Sequence, residues 1–211
     1  MISCALRAIP ATDMTRLGIL ASHRGSNFQA IIDACERGQI NAKPVLAISN
    51  NSHSMALTRA RQAGITALHI SSLTHPENQD QAIADALTTH AVDLVITAGY
   101  MKKLGPITLA RFSGKIINVH PSLLPRHGGP GMYGLKVHQA VIDAGDQETG
   151  ISIHRVESDY DSGPVIAQVS IAVASDDTAA SLAEKVIQQE HALLVSTLAS
   201  LISPIAKETC R

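Results

Sequence analysis

The sequence predicts an α/β fold in which helices cover both faces of a mostly parallel central sheet. Short apolar segments alternate with amphipathic segments along most of the 211 residues, and glycines such as Gly38, Gly64 and Gly145 follow the amphipathic ones. The apolar segments, for example residues 17–21 and 93–98, are apolar at most positions rather than at every second one. Strands of that kind are typical of a parallel sheet that is buried on both faces.

The N-terminal half alternates strands and helices in the order of a Rossmann-like unit. Residues 17–21 form the first predicted strand, residues 22–27 a turn, and residues 28–37 a helix with apolar residues at helical spacing. The further elements predicted here are strands at 45–50, 65–70 and 93–98, helices at 54–63 and 76–90, and a short helix opened by Pro106. In open sheets of this kind, ligands bind at the carboxyl ends of the strands.

The C-terminal half begins with the stretch that we expect to carry the chemistry, residues 115–133. A strand over 115–119 runs into a long loop rich in proline and glycine, and a loop of this length is usually functional or disordered. If the strand continues to its end, Asn118 and His120 lie on the same side. The elements predicted after the loop are a helix at 135–144, a strand at 150–156, an acidic turn at 157–164, a strand at 165–173 antiparallel to it, and a helix at 178–201.

Composition excludes several classes of function. The formal net charge is −1, aromatic residues make up 2% and tryptophan is absent, so a general nucleic-acid surface is not expected. The three cysteines are scattered, which fits reduced thiols in a cytoplasm better than disulfides or a zinc site. No apolar run approaches the roughly 18 residues of a membrane span. The ten histidines show no metal-binding spacing, so no metal is expected.

The first turn has the properties of a site for a single phosphate. Gly25, Ser26 and Asn27 lie between a strand and a helix, where free backbone N–H groups and the helix dipole favour an anion. The pattern is neither that of a dinucleotide fold nor that of a P-loop. An ordinary helix N-cap by Ser26 or Asn27 explains this turn equally well when it is considered alone.

Several motifs in order along residues 16–201 resemble the glycinamide ribonucleotide transformylases, also called phosphoribosylglycinamide formyltransferases. They are SHRGSNFQAIIDA, DLVITAGYMKKL, INVHPSLLP, SIHRVESDYDSGPVIAQ and QQEHALL. The N-x-H-P-S-L-L-P core alone is shared by the wider superfamily of folate-dependent formyltransferases, and the other motifs narrow the resemblance. The resemblance implies the formyltransferase fold and formyl transfer from the co-substrate 10-formyltetrahydrofolate to the amine of glycinamide ribonucleotide in purine biosynthesis.

The resemblance also assigns roles to residues. Asn118, His120 and Asp161 would be catalytic, and His154 would lie near them. The remaining assignments are Gly25, Ser26 and Asn27 to the nucleotide phosphate, Glu190 to the ribose or glycinamide end, and Met101, Lys102, Lys103 and Leu104, with Asn118, to the folate. Taken alone, Asp161 is more typical of a turn, Glu190 of a solvated helix face and His154 of a buried structural histidine. Only their joint presence favours a site.

Three segments depart from the family pattern. The loop at 126–134 is longer than the common version, so its contacts cannot be transferred, and residues 74–81 do not match clearly enough to assign contacts. His23 and Arg24 replace a pair that more often contains glycine, and Arg24 would add positive charge at the phosphate.

The expected chemistry is stabilisation of a negative oxygen. When an amine attacks a formyl carbon, the formyl oxygen becomes negative, and Asn118 together with a protonated His120 would donate hydrogen bonds to it. One preorganised donor of this type is typically worth roughly 2.7–4 kcal/mol. We expect Asp161 to raise the pKa of His120, because an opposite charge stabilises the imidazolium. Whether Asp161 also holds a water that moves the proton is left open.

We expect residues 1–15 to be an N-terminal extension, either disordered or produced by an upstream start. Residues 16–211 would form a single domain, with a nucleotide-binding half at 16–115 and a catalytic and folate-binding half at 116–211. Members of the family can dimerise, so a homodimer is one prediction, and the protein is expected in the cytoplasm. The alternatives are a formyltransferase or deformylase with another acceptor, and a regulator that binds nucleotide or folate without catalysis.

Overall fold

A computed structural model describes residues 14–202 as seven strands and six helices. The strands are β1 (Thr15–Leu20), β2 (Ala42–Ser49), β3 (Thr66–His69), β4 (Leu94–Thr97), β5 (Ile116–His120), β6 (Glu148–Arg155) and β7 (Val165–Ala172). The helices are α1 (Ser26–Glu36), α2 (Met55–Gln62), α3 (Gln79–Thr89), α4 (Pro106–Arg111), α5 (Leu135–Asp143) and α6 (Ala179–Ile202).

All seven strands belong to one sheet, in the order β3-β2-β1-β4-β5-β6-β7. Strands β1 to β5 run parallel, β6 is antiparallel to β5, and β7 is antiparallel to β6. The predicted α/β class with a mostly parallel sheet is therefore confirmed. The chain builds outward from β1 to β2 and β3, then returns to place β4 on the other side of β1. This reversal opens a crevice beyond the carboxyl ends of β1 and β4, where such sheets hold ligands.

Two apolar cores lie on opposite faces of the sheet. The first contains Phe28 and Ile31 of α1 and Leu194 of α6, and the second contains Leu87 of α3 and Phe112 after α4. Burying a large apolar side chain is worth roughly 1.5–3 kcal/mol, so these faces hold the helices in place. Helix α6 packs against both α1 and α5, and it reaches the crevice with its first half.

The starts of two elements differ from the prediction for reasons that the structure shows. Helix α1 begins at Ser26 instead of residue 28, because Gly25 takes a left-handed φ of 64° and occupies the N-cap itself. Neither Ser26 nor Asn27 is therefore the cap. Strand β2 begins at Ala42 instead of residue 45. Pro44 is accommodated in it, since the pairing of β1 with β2 shifts register between Leu17 and Gly18.

The N-terminal boundary of the domain stays a prediction. Strand β1 begins at Thr15, the last residue of the predicted extension over 1–15, and residues 1–13 fall outside the described residues. Within residues 14–202, the helices are all too short or too polar to cross a membrane.

Candidate active site

A cavity of about 770 Å³ lies at the carboxyl ends of β1, β4 and β5. Every residue that the sequence analysis assigned to the site contributes to its wall. These residues are Gly25, Ser26, Asn27, Met101, Lys102, Lys103, Leu104, Asn118, His120, His154, Asp161 and Glu190. Cavities of several hundred cubic ångströms with a few convergent polar groups are typical of small-molecule sites.

Strand β5 ends in Asn118 and His120, which point to the same side because two residues of a strand span one repeat. The amide of Asn118 is fixed in its orientation. Its Oδ1 accepts from the Thr97 hydroxyl at 2.8 Å, while Nδ2 lies 3.1 Å from His154 Nε2 and 3.4 Å from Asp161 Oδ1. The contact to Asp161 is longer than the usual 2.7–3.2 Å. The amide hydrogen that points to Asp161 is therefore the one that Asn118 can most easily donate to a ligand.

His154 holds Asn118 from the neighbouring strand. The two residues are register partners in the antiparallel pair of β5 and β6, and the His154 side chain is 2% exposed. Its Nδ1 donates to the carbonyl of Arg155 at 2.8 Å, because a carbonyl can only accept. In the neutral ring Nε2 is therefore an acceptor, which suits the Asn118 amide. The structure therefore places His154 beside Asn118 and Asp161, and the resemblance implies a position near these residues.

Asp161 lies in the turn between β6 and β7 and lies close to both Asn118 and His120. Its Oδ2 accepts from the Gly129 amide at 2.9 Å and lies 3.6 Å from His120 Nδ1, and its backbone has a φ of 54°. A positive φ in a residue other than glycine is uncommon, and such strain is often found at functional sites. Burial acts to raise the pKa of Asp161, but contact with His154, the charge of His120 and the Gly129 amide lower it below its ordinary value.

His120 is almost completely buried at the end of β5. Its Nε2 lies 2.8 Å from the carbonyl oxygen of His127, so Nε2 carries a hydrogen, and Nδ1 is the nitrogen that faces Asp161. Burial lowers the pKa of His120 below its ordinary value, although the charge of Asp161 acts to raise it. Asp161 does act to raise this pKa, as expected, but desolvation of the ring outweighs the carboxylate and the net shift is downward.

The predicted phosphate turn forms the opposite end of the cavity. Gly25 is the N-cap of α1 without any side-chain cap, and the first N–H groups of a helix have no acceptor within it. A Cβ on Gly25 would lie 2.9 Å from both Cα and Cβ of Ala56, so the turn needs glycine for space as well as for φ. Arg24 is exposed beside the turn and also lines the cavity.

Glu190 reaches the same end of the cavity from α6. It is only 9% exposed, and its Oε2 accepts from Asn27 Nδ2 at 3.0 Å. Burial raises the pKa of Glu190 to about 7, and the Asn27 hydrogen bond opposes this only in part. Asn27 Oδ1 is buried and has no partner among the described residues. This end therefore presents a carboxyl group and an amide oxygen that can both accept hydrogen bonds from a ligand.

Residues 101–104 form a side wall between the two ends. The wall is tied to the first turn, since the Met101 amide donates to the Ser22 hydroxyl at 2.8 Å. It is followed by α4, which Pro106 opens as predicted, and whose first amides donate to Asp80 of α3. Lys103 lies 5.6 Å from the ring centre of Tyr160 across the mouth of the cavity.

Sequence reasoning missed three residues that contact Asn118, His120 or Asp161. They are Thr97, His127 and Gly129. Thr97 could have been found from strand register, because it pairs with Asn118 in the neighbouring parallel strand. His127 and Gly129 act through their backbones, and no side-chain pattern identifies a backbone contact. Within residues 14–202, no three histidine, cysteine or carboxylate side chains are grouped as metal ligands.

Comparisons with known proteins match this chain over most of its length. The formyl transferase family model matches residues 15–198. The phosphoribosylglycinamide formyltransferase of Haemophilus influenzae is 39% identical over 180 residues, which are 84% of this chain and 82% of that protein. The crystal structure of phosphoribosylglycinamide formyltransferase from Bacillus halodurans superposes with a TM-score of 0.85 at 31% identity, covering 93% of this chain and 100% of the other.

A solved structure with another activity shares only the fold. The formyltetrahydrofolate deformylase of Pseudomonas syringae superposes with a TM-score of 0.80 over 91% of this chain and 62% of the other. Its sequence identity is 21%, so the likeness is one of backbone architecture and carries no argument about the acceptor.

Proposed function

The chain belongs to the phosphoribosylglycinamide formyltransferase family, and from this premise we propose that it transfers a formyl group from 10-formyltetrahydrofolate to the amine of glycinamide ribonucleotide. This is a step of purine biosynthesis. The observation that carries the proposal is the meeting of two different kinds of site in one cavity. One end has a helix start that favours anions, and the other has a carboxylate, Asp161, that lies 3.4 Å from the Asn118 amide and 3.6 Å from the His120 imidazole.

The reaction needs no covalent intermediate on the protein. The amine nitrogen attacks the formyl carbon, and a C–N bond forms while the carbonyl oxygen becomes negative. The bond from that carbon to N10 of the folate then breaks, and the proton lost by the amine ends on N10. The products are the formylated ribonucleotide and tetrahydrofolate.

We assign the oxyanion to Asn118 and His120. Asn118 would give up its long contact to Asp161 and donate that hydrogen to the formyl oxygen, while His154 and Thr97 keep its amide oriented. Removing one donor of this type typically costs about 10²- to 10³-fold in kcat. Nδ1 of His120 is the nitrogen that faces the reactive groups, since Nε2 is engaged by the His127 carbonyl.

The protonation state of His120 would change as the reaction proceeds. Burial favours the neutral ring, and a negative oxygen near Nδ1 favours the imidazolium. His120 is therefore suited to take up a proton when charge develops, and Asp161 is placed to stabilise that imidazolium. We assign transfer of the amine proton to the same pair, because Asp161 lies between Asn118 and His120.

The remaining assignments follow the geometry of the cavity. The phosphate would bind the first amides of α1 together with Arg24, and Glu190 would accept from ribose hydroxyls or the glycinamide end. The folate would lie along residues 101–104. Its identity as 10-formyltetrahydrofolate, the cytoplasmic location and a homodimer remain predictions, and light scattering on the purified protein would determine the last.

Formyl transfer with purified protein tests the proposal directly. The assay contains 10-formyltetrahydrofolate with and without glycinamide ribonucleotide, and it compares the unmodified protein with His120→Ala. His90→Ala is a matched control, because His90 lies at the end of α3 and does not line the cavity. We expect acceptor-dependent turnover that collapses in His120→Ala and persists in His90→Ala.

Other outcomes would overturn the proposal in distinct ways. Formate released equally without the acceptor would identify a deformylase. Binding of both ligands without turnover would identify a regulator. Turnover with His120→Ala at the unmodified rate would leave the reaction in place but remove His120 from it.

A further inference from the structure

Both members of the His120–Asp161 pair are held by one short piece of backbone, residues 127–129. The carbonyl of His127 accepts from His120 Nε2 at 2.8 Å, and the amide of Gly129 donates to Asp161 Oδ2 at 2.9 Å. A carbonyl at Nε2 selects the neutral tautomer with hydrogen on Nε2 and leaves Nδ1 toward Asp161. The position of this backbone therefore determines which nitrogen of His120 faces the reacting groups.

The backbone at His127 is in an uncommon conformation that its surroundings must maintain. Its φ is 53°, in the left-handed region where few residues other than glycine occur. On the outer side of the loop, His127 Nε2 lies 2.7 Å from Asp146 Oδ2. Both side chains are mostly buried, at 16% and 21% exposed, and Asp146 lies in the turn that follows α5. This contact ties the strained residue to a helix end.

We propose that the contact between His127 and Asp146 is a positioning device for the reaction. It holds the His127 carbonyl against Nε2 of His120 and so presents Nδ1 to the formyl group. Asp146 touches neither substrate nor reacting atoms, so its role is to position His120 through two intermediate contacts. This inference rests on the proposed function, because it gives His120 a task in formyl transfer.

A variant of the neighbouring Arg126 can distinguish this positioning role from the mere loss of an ion pair to Asp146. Arg126 Nη1 lies 3.7 Å from the same Asp146 oxygen, and its Nη2 lies 3.1 Å from Glu148. The Arg126 side chain is 46% exposed and contacts neither ring. Removing it takes a cation from Asp146 but leaves the hydrogen bond to His127 in place.

The test compares Asp146→Ala with Asp146→Asn in the full chain. Asparagine keeps an oxygen that can accept from His127, whereas alanine does not. We expect kcat to fall about 10- to 100-fold in Asp146→Ala, as for a small misplacement of a reactive group. KM for both substrates should stay unchanged, and Asp146→Asn should restore most of kcat. Equal kcat in the alanine and unmodified proteins would overturn the proposal.

Two further variants act as controls. Arg126→Ala should keep the kcat of the unmodified protein. His127→Gly relieves the backbone strain and deletes the side chain, so it should lose kcat as Asp146→Ala does, and the double variant should fall no further. Full activity in His127→Gly would mean that the backbone conformation alone matters, and the proposal would be wrong. If Asp146→Ala does not fold, His127→Asn carries the same comparison, because asparagine tolerates the positive φ and removes the imidazole.

A readout independent of turnover separates this inference from the proposed function. Nitrogen NMR of labelled histidine reports which ring nitrogen of His120 carries the hydrogen. We expect the Nε2–H tautomer in the unmodified and Arg126→Ala proteins, and a mixture in Asp146→Ala. An unchanged tautomer in Asp146→Ala would overturn the inference. Absence of formyl transfer in the unmodified protein would defeat the proposed function, while the NMR comparison would still decide the positioning.

Discussion

The two ends of the cavity each hold one buried carboxyl group, and their surroundings move the two pKa values in opposite directions. Asp161, at the reactive end, accepts from the Gly129 amide and faces Asn118 and two imidazoles, and its pKa is lowered. Glu190, at the predicted phosphate end, accepts from Asn27 alone among residues 14–202, and burial raises its pKa to about 7.

The difference teaches that burial alone does not decide the charge of a carboxyl group. Both groups lose water, which favours the neutral acid. A carboxylate remains the stable form only where enough donors or positive charges replace that water. Asp161 has them, and its carboxylate form is favoured. Glu190 has one donor and is left to exchange its proton near neutral pH, so a ligand that brings further donors will favour its charged form.

The largest expected effect comes from removing the charge at the reactive end. Asp161→Asn keeps the shape, and asparagine tolerates a positive φ, but the charge that opposes desolvation of His120 is lost. We expect kcat to fall about 10²- to 10⁴-fold, the usual contribution of a positioned acid or base. Asp143→Asn, on the exposed side of α5, is the control for loss of a carboxylate. An Asp161→Asn protein as active as that control would contradict the assignment.

The second prediction concerns the raised pKa of Glu190. Because the folded pKa of Glu190 lies above its unfolded value of 4.5, its contribution to stability is full below pH 4.5 and is lost as the pH rises through about 7. Glu190→Gln should therefore match the unmodified protein near pH 5 and exceed it in unfolding free energy at pH 8, by up to about 3 kcal/mol.

Urea unfolding at the two pH values measures this difference. Glu184→Gln, one and a half turns earlier on α6 and exposed, should show no such pH dependence. A gain from Glu190→Gln that is equal at both pH values would mean that Glu190 does not titrate in this range.

A smaller effect is expected from the turn that faces Glu190. Gly25→Ala imposes a left-handed backbone on alanine, at about 1–2 kcal/mol, and also brings a Cβ within 2.9 Å of Ala56. Gly38→Ala is a matched control, because Gly38 has a similar φ of 69° and nothing within 4 Å of the added Cβ. Thermal unfolding should show a larger loss for Gly25→Ala. An equal loss would mean that the contact with Ala56 relaxes freely.

The smallest expected effect is a further rise in the pKa of Glu190, which tests how much one hydrogen-bond donor contributes. Asn27→Ala removes the one donor to Glu190, so the pKa of Glu190 should rise further above about 7. The shift should be below one pH unit, since a hydrogen bond contributes about 1 kcal/mol and one unit corresponds to 1.36 kcal/mol. Carbon NMR of the Glu190 carboxyl against pH measures it. A decrease in the pKa of Glu190 would show that water solvates its carboxylate better than the Asn27 amide does.

The first turn could be singled out from local sequence as a candidate anion site, with an ordinary N-cap as the alternative, whereas the meeting of groups at the other end could not be predicted in this way. A strand, a glycine and a helix start are contiguous, and the fold makes them a site wherever they occur in a parallel sheet. The meeting of His120 with Asp161 instead depends on strand β6 and the turn that follows it. That pairing came from the resemblance to a family, because no spacing rule connects the last residue of β5 with a residue in the turn after β6.

The pKa values were beyond sequence reasoning in both regions. Glu190 on α6 has the pattern of a solvated helix charge, and only the packing of α6 against α1 buries it. For His120 the sign of the shift depends on how two opposing effects compare, desolvation and the Asp161 charge. The presence of a carboxylate nearby was predictable, but the depth of burial that outweighs it was not.

The hydrogen bond from Asn27 to Glu190 joins residues that are 163 positions apart in the chain. Contacts between such distant residues are slow to form, because a long chain segment must be ordered before they contribute. The phosphate end is therefore expected to assemble late in folding, after the local strand and helix units. A folding intermediate that already contains the sheet would still lack this half of the cavity, so recovery of nucleotide binding would lag behind recovery of secondary structure during refolding.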